Sequence, residues 1–426
     1  MDKKRFWLIL VIFHLLFFGK QIFFGNSMLQ DSREYLYAAD NLLQHQTLYS
    51  WNLNHAFNPN WLTKRPFLYP SILAAIKLIS FGSIPVFFTL LYLVQNLLSL
   101  FSIRLILKIA EKHKIKLRFT QLILFLLFSV SQVIYANMVM SEIWLQCCMT
   151  GIVYILIMRP NDSKHIFYIS LLLIAGMSLK PVLIFTIFCW PLYLLIRSFR
   201  HLQIKHLALS LLPLCFYLSV CKMNEQRSGY FHYSSISNIN LLHYNTFSLL
   251  LNKYGLQKAD SIVDNINIEA KTQGNYKAQQ EYIRKACKKQ ISQHMLLYVW
   301  LHTRGAIYCV ADPGRFDLTQ FFNLPHHQNM MYETNKEGAF KSVLQMFLNP
   351  LGILLFCLVL FNLFRLYIML RFTFKSGITW LTKLTILFFP AYILFFTGPI
   401  GTSRFYMPFI PLVLLMFLFT MTTQKE

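Results

Sequence analysis

The sequence predicts an all-α polytopic membrane protein of about ten transmembrane helices. Three observations carry this. Hydrophobic residues make up 56% of the 426-residue chain and the mean hydropathy is +0.46. Charged residues are only 13%, about half the usual globular share of ~25%. Apolar runs of helical length recur along the chain, and every second short loop between them is basic, the pattern of positive-inside topology. The net charge of +23, from 40 Lys+Arg against 17 Asp+Glu, would point to nucleic acid in a soluble protein. Here loop bias accounts for much of it, and anionic lipid or a phosphate-bearing substrate for more. No nucleic-acid-binding motif is present.

Taken in order, the first span covers about Phe6 to Phe24, with Lys3, Lys4 and Arg5 holding its start in the cytoplasm. It resembles a signal peptide in its basic start, but no small-residue cleavage site follows, so it reads as uncleaved. The first outside loop then runs to about Gly82. Within it, DSREYLYAADNLLQ has an apolar stripe of Tyr35, Ala38, Ala39, Leu42 and Leu43 at helical spacing. PFLYPSILAAIKLISF is apolar but short and interrupted by Lys77, so it reads as an interfacial or re-entrant helix. Further spans follow at about Pro85 to Leu107, Phe119 to Tyr135, Glu142 to Met158, Ile166 to Leu179, Val182 to Phe199 and Leu207 to Cys221. From about Lys222 to Lys341 the composition turns to Asn, Gln, Lys and Ser, which predicts a mostly helical outside domain. Three last spans cover about Val343 to Leu370, Ile378 to Thr397 and Phe409 to Thr420. The expected organisation is thus a module over 1–221, an outside domain over 222–342 and a C-terminal module over 343–426. Both termini are expected inside.

Residues that bear chemistry cluster at the outer ends of the spans. Asp31 and Glu34 are spaced i, i+3 and share a helix face. Lys64 and Arg65 precede a proline in LTKRPFLYP, Glu142 follows Ser141 at the head of a span, Lys180-Pro181 closes another, and Arg404 stands in GPIGTSRFYMP. Carboxylates and cations together at a membrane surface suit chemistry on a lipid-linked phosphate. Each also has a plain structural reading. Asp31-Ser32-Arg33-Glu34 has capping-box character, Glu142 is placed to cap its helix with Ser141, and Lys180 suits a snorkelling cation. Arg404 lies on the outer side against the charge trend, which favours a role in phosphate binding. His55, His326 and His327 have no metal-ligand spacing, and Asp312-Pro313-Gly314-Arg315 reads as a turn. Of eight cysteines, Cys147, Cys148, Cys189, Cys215, Cys221 and Cys357 fall in or beside spans, while Cys287 and Cys309 lie in the long loop, where they are free to pair in an oxidising compartment. No zinc-type spacing is present.

Four patches give the chain a family likeness. They are Asp31 to Leu43, Lys64-Arg65-Pro66-Phe67-Leu68-Tyr69-Pro70, Met140-Ser141-Glu142, and Arg404-Phe405-Tyr406-Met407-Pro408. In this order and on one membrane side, they resemble the type C (GT-C) integral-membrane glycosyltransferases, in the branch of protein O-mannosyltransferases and lipid A aminoarabinose transferases. The resemblance implies a GT-C-like fold and transfer of a sugar from a polyprenyl-phosphate carrier to a lipid, glycan or protein acceptor at the outer face, with inversion. It implies catalytic carboxylates at Asp31, as general base, with Glu34 and Glu142 in support. It places Lys64, Arg65, Lys180 and Arg404 around the carrier phosphate. No cofactor is called for. Lys64 stands where the aminoarabinose transferases carry an acidic residue, which weakens both a metal site and an exact substrate match; a divalent metal is not indicated. The expected partners are the lipid-linked donor, the acceptor and membrane lipids, and the expected location is a bacterial inner membrane with the site facing the periplasm. The alternatives are a flippase or transporter of a lipid-linked saccharide, which would show repeated halves or interrupted spans near the midplane, and a non-catalytic scaffold, which would tolerate loss of Asp31.

Overall fold

The computed structural model describes residues 1–159, 162–198, 203–324 and 350–421. Among them the regular structure is helical throughout. Helix α1 (Lys3–Phe23) starts where the Asp2 carboxylate accepts the Arg5 N–H at 2.8 Å, an N-cap that satisfies one of the free donors of the first turn. The chain then makes α2 (Gln30–His45), α3 (Asn60–Thr63) and α4 (Leu68–Ile79). The first and last of these are amphipathic and pack on each other. Tyr35, Ala38 and Ala39 of α2 are buried, as are Tyr69, Leu73 and Ala74 of α4. The Tyr35 and Tyr69 rings meet edge to face with centroids 4.8 Å apart, a favoured quadrupolar geometry.

Next come α5 (Ile84–Lys112), α6 (Phe119–Leu127), α7 (Val130–Ala136), α8 (Glu142–Met158), α9 (Ser163–Leu179), α10 (Thr186–Ser198), α11 (Ile204–Ser210) and α12 (Leu212–Ser228). Helix α8 is the pivot, lying between α5 and α9. The single span expected at about Phe119 to Tyr135 is not straight: α6 and α7 meet at 64°. The physical reason is Ser129, whose hydroxyl donates to the Phe125 carbonyl at 2.8 Å and receives Arg365 at 2.5 Å. A side chain inserted in the backbone ladder is a usual cause of a kink. The span expected to end near Cys221 runs on to Ser228, where Gly229 takes the left-handed conformation at φ 74° that closes many helices.

The polar segment folds into α13 (Ile236–Asn240), a π-helical stretch (Leu241–Thr246), α14 (Phe247–Tyr254), α15 (Leu256–Lys271) and α16 (Tyr276–Gln293). These close a small core of their own around Leu242, Leu250, Ala259, Val263, Ile266 and Cys287. The segment does not remain apart, however. Helix α17 (Met295–Ala311) and α18 (Arg315–Phe321) return to the main bundle. There they meet α7, α19 (Pro350–Phe374), α20 (Trp380–Phe396) and α21 (Ser403–Tyr406), and the chain ends in α22 (Ile410–Met421). Cys309 belongs to the main core and Cys287 to the small one, both buried and free. This removes the pairing the sequence allowed.

Among the described residues, five helical stretches are long and apolar enough to cross a membrane: Lys3–Phe23, Ile84–Lys112, Ile204–Ser228, Pro350–Phe374 and Ser403–Met421. The bent α6–α7 pair makes a sixth if counted as one span. Five shorter apolar helices, of 10–17 residues, stand at or below the lower limit of about 17 residues for a spanning helix. The last helix is the most enclosed. Every residue from Ile410 to Thr420 is buried, as expected for a helix apolar on all sides, and α22 packs against α5, α8, α19 and α20. The loop ahead of it is pinned to α17 by two glycines. A Cβ on Gly305 would run into the Gly398 carbonyl, and one on Gly401 into the Gly305 carbonyl. That close approach fixes the start of α21.

Candidate functional site

Five separate pieces of chain converge at the end of the bundle where α2 begins. On α2, the Leu29 N–H is taken by the Ser32 hydroxyl at 3.1 Å. Asp31 is therefore inside the first turn, and the capping-box reading of Asp31 and Glu34 is corrected. Both carboxylates point away from their own helix end and into the turn between α3 and α4. Arg65 Nη2 donates to Asp31 Oδ1 at 2.5 Å and Arg65 Nε to Glu34 Oε2 at 2.7 Å, while Lys64 Nζ reaches Glu34 Oε1 at 2.8 Å. The i, i+3 spacing thus serves to present two carboxylates to one guanidinium. Lys64 and Arg65 are also held by aromatic faces, Lys64 over Trp61 at 4.0 Å and Arg65 over Tyr35 at 4.9 Å.

Glu142 lies in the first turn of α8 and Lys180 at the end of the neighbouring α9, so the two ends meet. Lys180 Nζ donates to Glu142 Oε1 at 2.6 Å. Ser141 makes no capping bond; its hydroxyl pairs with Tyr35 at 3.2 Å, which corrects the capping reading of Ser141 and Glu142. Arg404, on α21, ties the two halves together. Its Nε donates to Glu142 Oε1 at 2.5 Å and its Nη2 lies 2.6 Å from Asp31 Oδ2. The structure therefore brings all seven residues singled out in the sequence into one ion-pair network: Asp31, Glu34 and Glu142 with Lys64, Arg65, Lys180 and Arg404. One positive charge is left over.

Exposure separates the members. The Glu34 and Glu142 side chains are 2% and 0% exposed, whereas Asp31 and Arg404 keep 23% and 24%. Only the Asp31–Arg404 edge of the network is open enough to meet a ligand. Burial by itself would lift the Asp31 carboxyl, but Arg404 and Arg65 outweigh it and hold Asp31 well below the usual carboxylate range. Glu142 accepts both of its cations on Oε1; Oε2 is buried and makes no hydrogen bond.

Sequence reading missed the support behind Arg404. The Asp312–Arg315 turn is present, with Gly314 at φ 74° and its N–H on Asp312 Oδ1 at 2.9 Å. It does more than reverse the chain. Asp312 Oδ2 accepts the Ser403 N–H at 2.7 Å, and Asp317 Oδ2 accepts the Ser403 hydroxyl at 3.0 Å. Tyr135 donates to Asp317 Oδ1 at 2.9 Å. Nothing local marks Asp317, one acid in a polar segment; only the Asx-turn ahead of it hints at a fixed position. Burial raises the Asp317 carboxyl from its ordinary 3.8 to about 6, against the Tyr135 and Ser403 hydrogen bonds. The folded protein thus holds a proton that the unfolded chain gives up. This favours the fold fully below about pH 4, and the benefit is lost as pH rises through about 6. The melting temperature of wild type relative to Asp317→Asn should accordingly fall between pH 4 and 7; a difference that stays flat over that range rules out ionisation of Asp317.

Among the described residues no group of three His, Cys, Asp or Glu is placed to hold a metal ion. His55 lies near the Trp51 ring, and His326 and His327 fall outside the described residues. Comparison with family models, curated proteins and solved structures returns no match.

Proposed function

We propose that the protein is a membrane glycosyltransferase of GT-C-like architecture that moves a sugar from a polyprenyl-phosphate carrier to an acceptor hydroxyl at the outer membrane face. The observation that supports this most is Asp31, a half-open carboxylate whose two oxygens are each gripped by a different arginine. Two guanidiniums that hold a carboxylate in this way match the oxygens of a phosphate equally well. The carrier phosphate takes over Arg65 and Arg404, with Lys64 and Lys180 adding charge behind them. Its arrival removes the two cations that depress Asp31, so the carboxylate becomes a stronger base as the donor binds. The acceptor hydroxyl then gives its proton to Asp31 while its oxygen bonds to the anomeric carbon. The bond from that carbon to the phosphate oxygen breaks, and polyprenyl phosphate leaves with the electron pair, stabilised by the arginines. Attack opposite the leaving group inverts the centre. Glu34 and Glu142 stay buried and hold the cations in place. The shorter apolar helices α8, α9, α10 and α20 complete about ten spans in this reading.

The test is direct. Purified protein in detergent is incubated with a panel of polyprenyl-phosphate sugars and membrane extract as acceptor, and free polyprenyl phosphate is followed over time. Release that depends on both sugar and acceptor is expected. Carrier that binds and crosses the bilayer of liposomes, with its sugar intact throughout the panel, would replace the transferase with a flippase.

A further inference from the structure

A second site lies at the other end of α1, about 30 Å from α2 along a helix of this length. Helices α1 and α5 line a half-open groove of about 650 Å³. Its walls are Trp7 from α1 and Leu97, Leu100 and Phe101 from α5. Farther along the same face of α5 come Arg104 and Lys108, and the groove closes at Glu111, which is paired with Lys3 at 2.9 Å. Positions 97, 101, 104, 108 and 111 repeat at three and four residues, so a single stripe of α5 changes from apolar to cationic as it approaches the helix end. From Leu97 to Lys108 that stripe covers about 16 Å, half of a hydrocarbon core of about 30 Å.

Two features make this more than a lipid-facing surface. Arg104 and Lys108 are exposed, and neither makes an ion pair or hydrogen bond among the described residues. The only acid in the groove, Glu111, is already neutralised by Lys3. Leu97 and Phe101 stay 57% and 48% exposed within a concave wall. An occupant must therefore carry an anion at one end and a chain of hydrocarbon at the other, in that order along the helix. We propose that the groove binds one anionic phospholipid of the surrounding leaflet, its phosphate on Arg104 and Lys108 and an acyl chain against Trp7, Leu97 and Phe101. The ion-pair network at the far end of α1 takes no part, so the inference stands apart from the transferase reading.

Native mass spectrometry of the full chain tests it, with the protein released from micelles doped with phosphatidylglycerol or phosphatidylcholine. Wild type should retain one phosphatidylglycerol in preference to phosphatidylcholine. Each basic residue near a membrane surface is worth about a fivefold change in affinity for anionic lipid. Arg104→Gln and Lys108→Gln should each weaken retention by about that factor, and the double variant by about 30-fold. Both side chains are exposed, so melting in lipid-free detergent should not change. The control is Lys114→Gln with Lys116→Gln, two exposed cations of the α5–α6 connection outside the groove; it should keep the lipid. Equal loss in both double variants would mean diffuse surface charge, and undiminished retention in the Arg104/Lys108 variant would place the lipid elsewhere. Either result overturns the assignment.

Discussion

On the proposed transferase reading, Asp31→Asn should fold, bind the lipid-linked donor at least as tightly as wild type, and lose release of the carrier by about 10²–10⁴-fold, the usual worth of a general base. The choice of Asp31 over the other two acids rests on access. Glu34 and Glu142 are sealed from solvent and each serves two cations, whereas Asp31 stands at the open edge between Arg65 and Arg404. The amide keeps the shape but cannot take a proton, and it competes less well for the arginines. A phosphate then meets less resistance. The diagnostic result is accordingly a split: kcat falls while KM for the donor stays level or drops, which locates the loss in the chemical step. If kcat is unchanged, Asp31 only spaces the arginines and the base lies elsewhere. Glu142, with its one unpartnered oxygen, is then next. If KM rises and kcat holds, Asp31 is part of the binding surface.

The sequence carried the pieces of this site but not how they fit. Helix ends were readable because apolar runs stop there, and charged residues at such ends are unusual enough to single out. Glu142, Lys180 and Arg404 came from that rule, whereas Asp31 and Glu34 came from their i, i+3 spacing and Lys64 and Arg65 from the basic pair before Pro66, all in the first outside loop. The pairings had no local signal: Glu142 and Arg404 are 262 residues apart, and only the burial of α22 in the centre of the bundle brings α21 to α8. Where a local signal existed, it was degenerate. An i, i+3 pair of acids at a helix start fits a capping box and a two-carboxylate clamp alike, and the structure chose the clamp because Ser32 took the backbone donor instead. The bend at Ser129 was invisible for the same kind of reason. No proline or glycine marks it, and the arginine that reaches it arrives from α19.

Removing the Arg404 side chain should be the most destabilising single change in the network. It ties Asp31, itself on α2, to Glu142 on α8, and Glu142 is wholly buried with only Lys180 as its other partner. Arg404→Met would leave a carboxylate in the protein interior with half its compensation, and breaking a buried pair in this way costs about 3–5 kcal/mol. An exposed pair gives the scale for comparison. Lys3 and Glu111 are 59% and 46% exposed at a similar separation, and such pairs are worth about 0–1 kcal/mol, so Lys3→Gln should leave melting nearly unchanged. Glu142→Gln supplies the decisive arm. If the cost of Arg404→Met comes from the stranded carboxylate and not from lost packing, the double variant Arg404→Met/Glu142→Gln should recover part of it. The coupling energy should then exceed about 1 kcal/mol, in the range found for residues in direct contact. Strict additivity in thermal unfolding would mean that the Arg404–Glu142 bond does not hold α21 to α8. The backbone anchors of Ser403 on Asp312 and Asp317 would then be the true fastening, and Arg404 would be free to give its whole charge to a ligand.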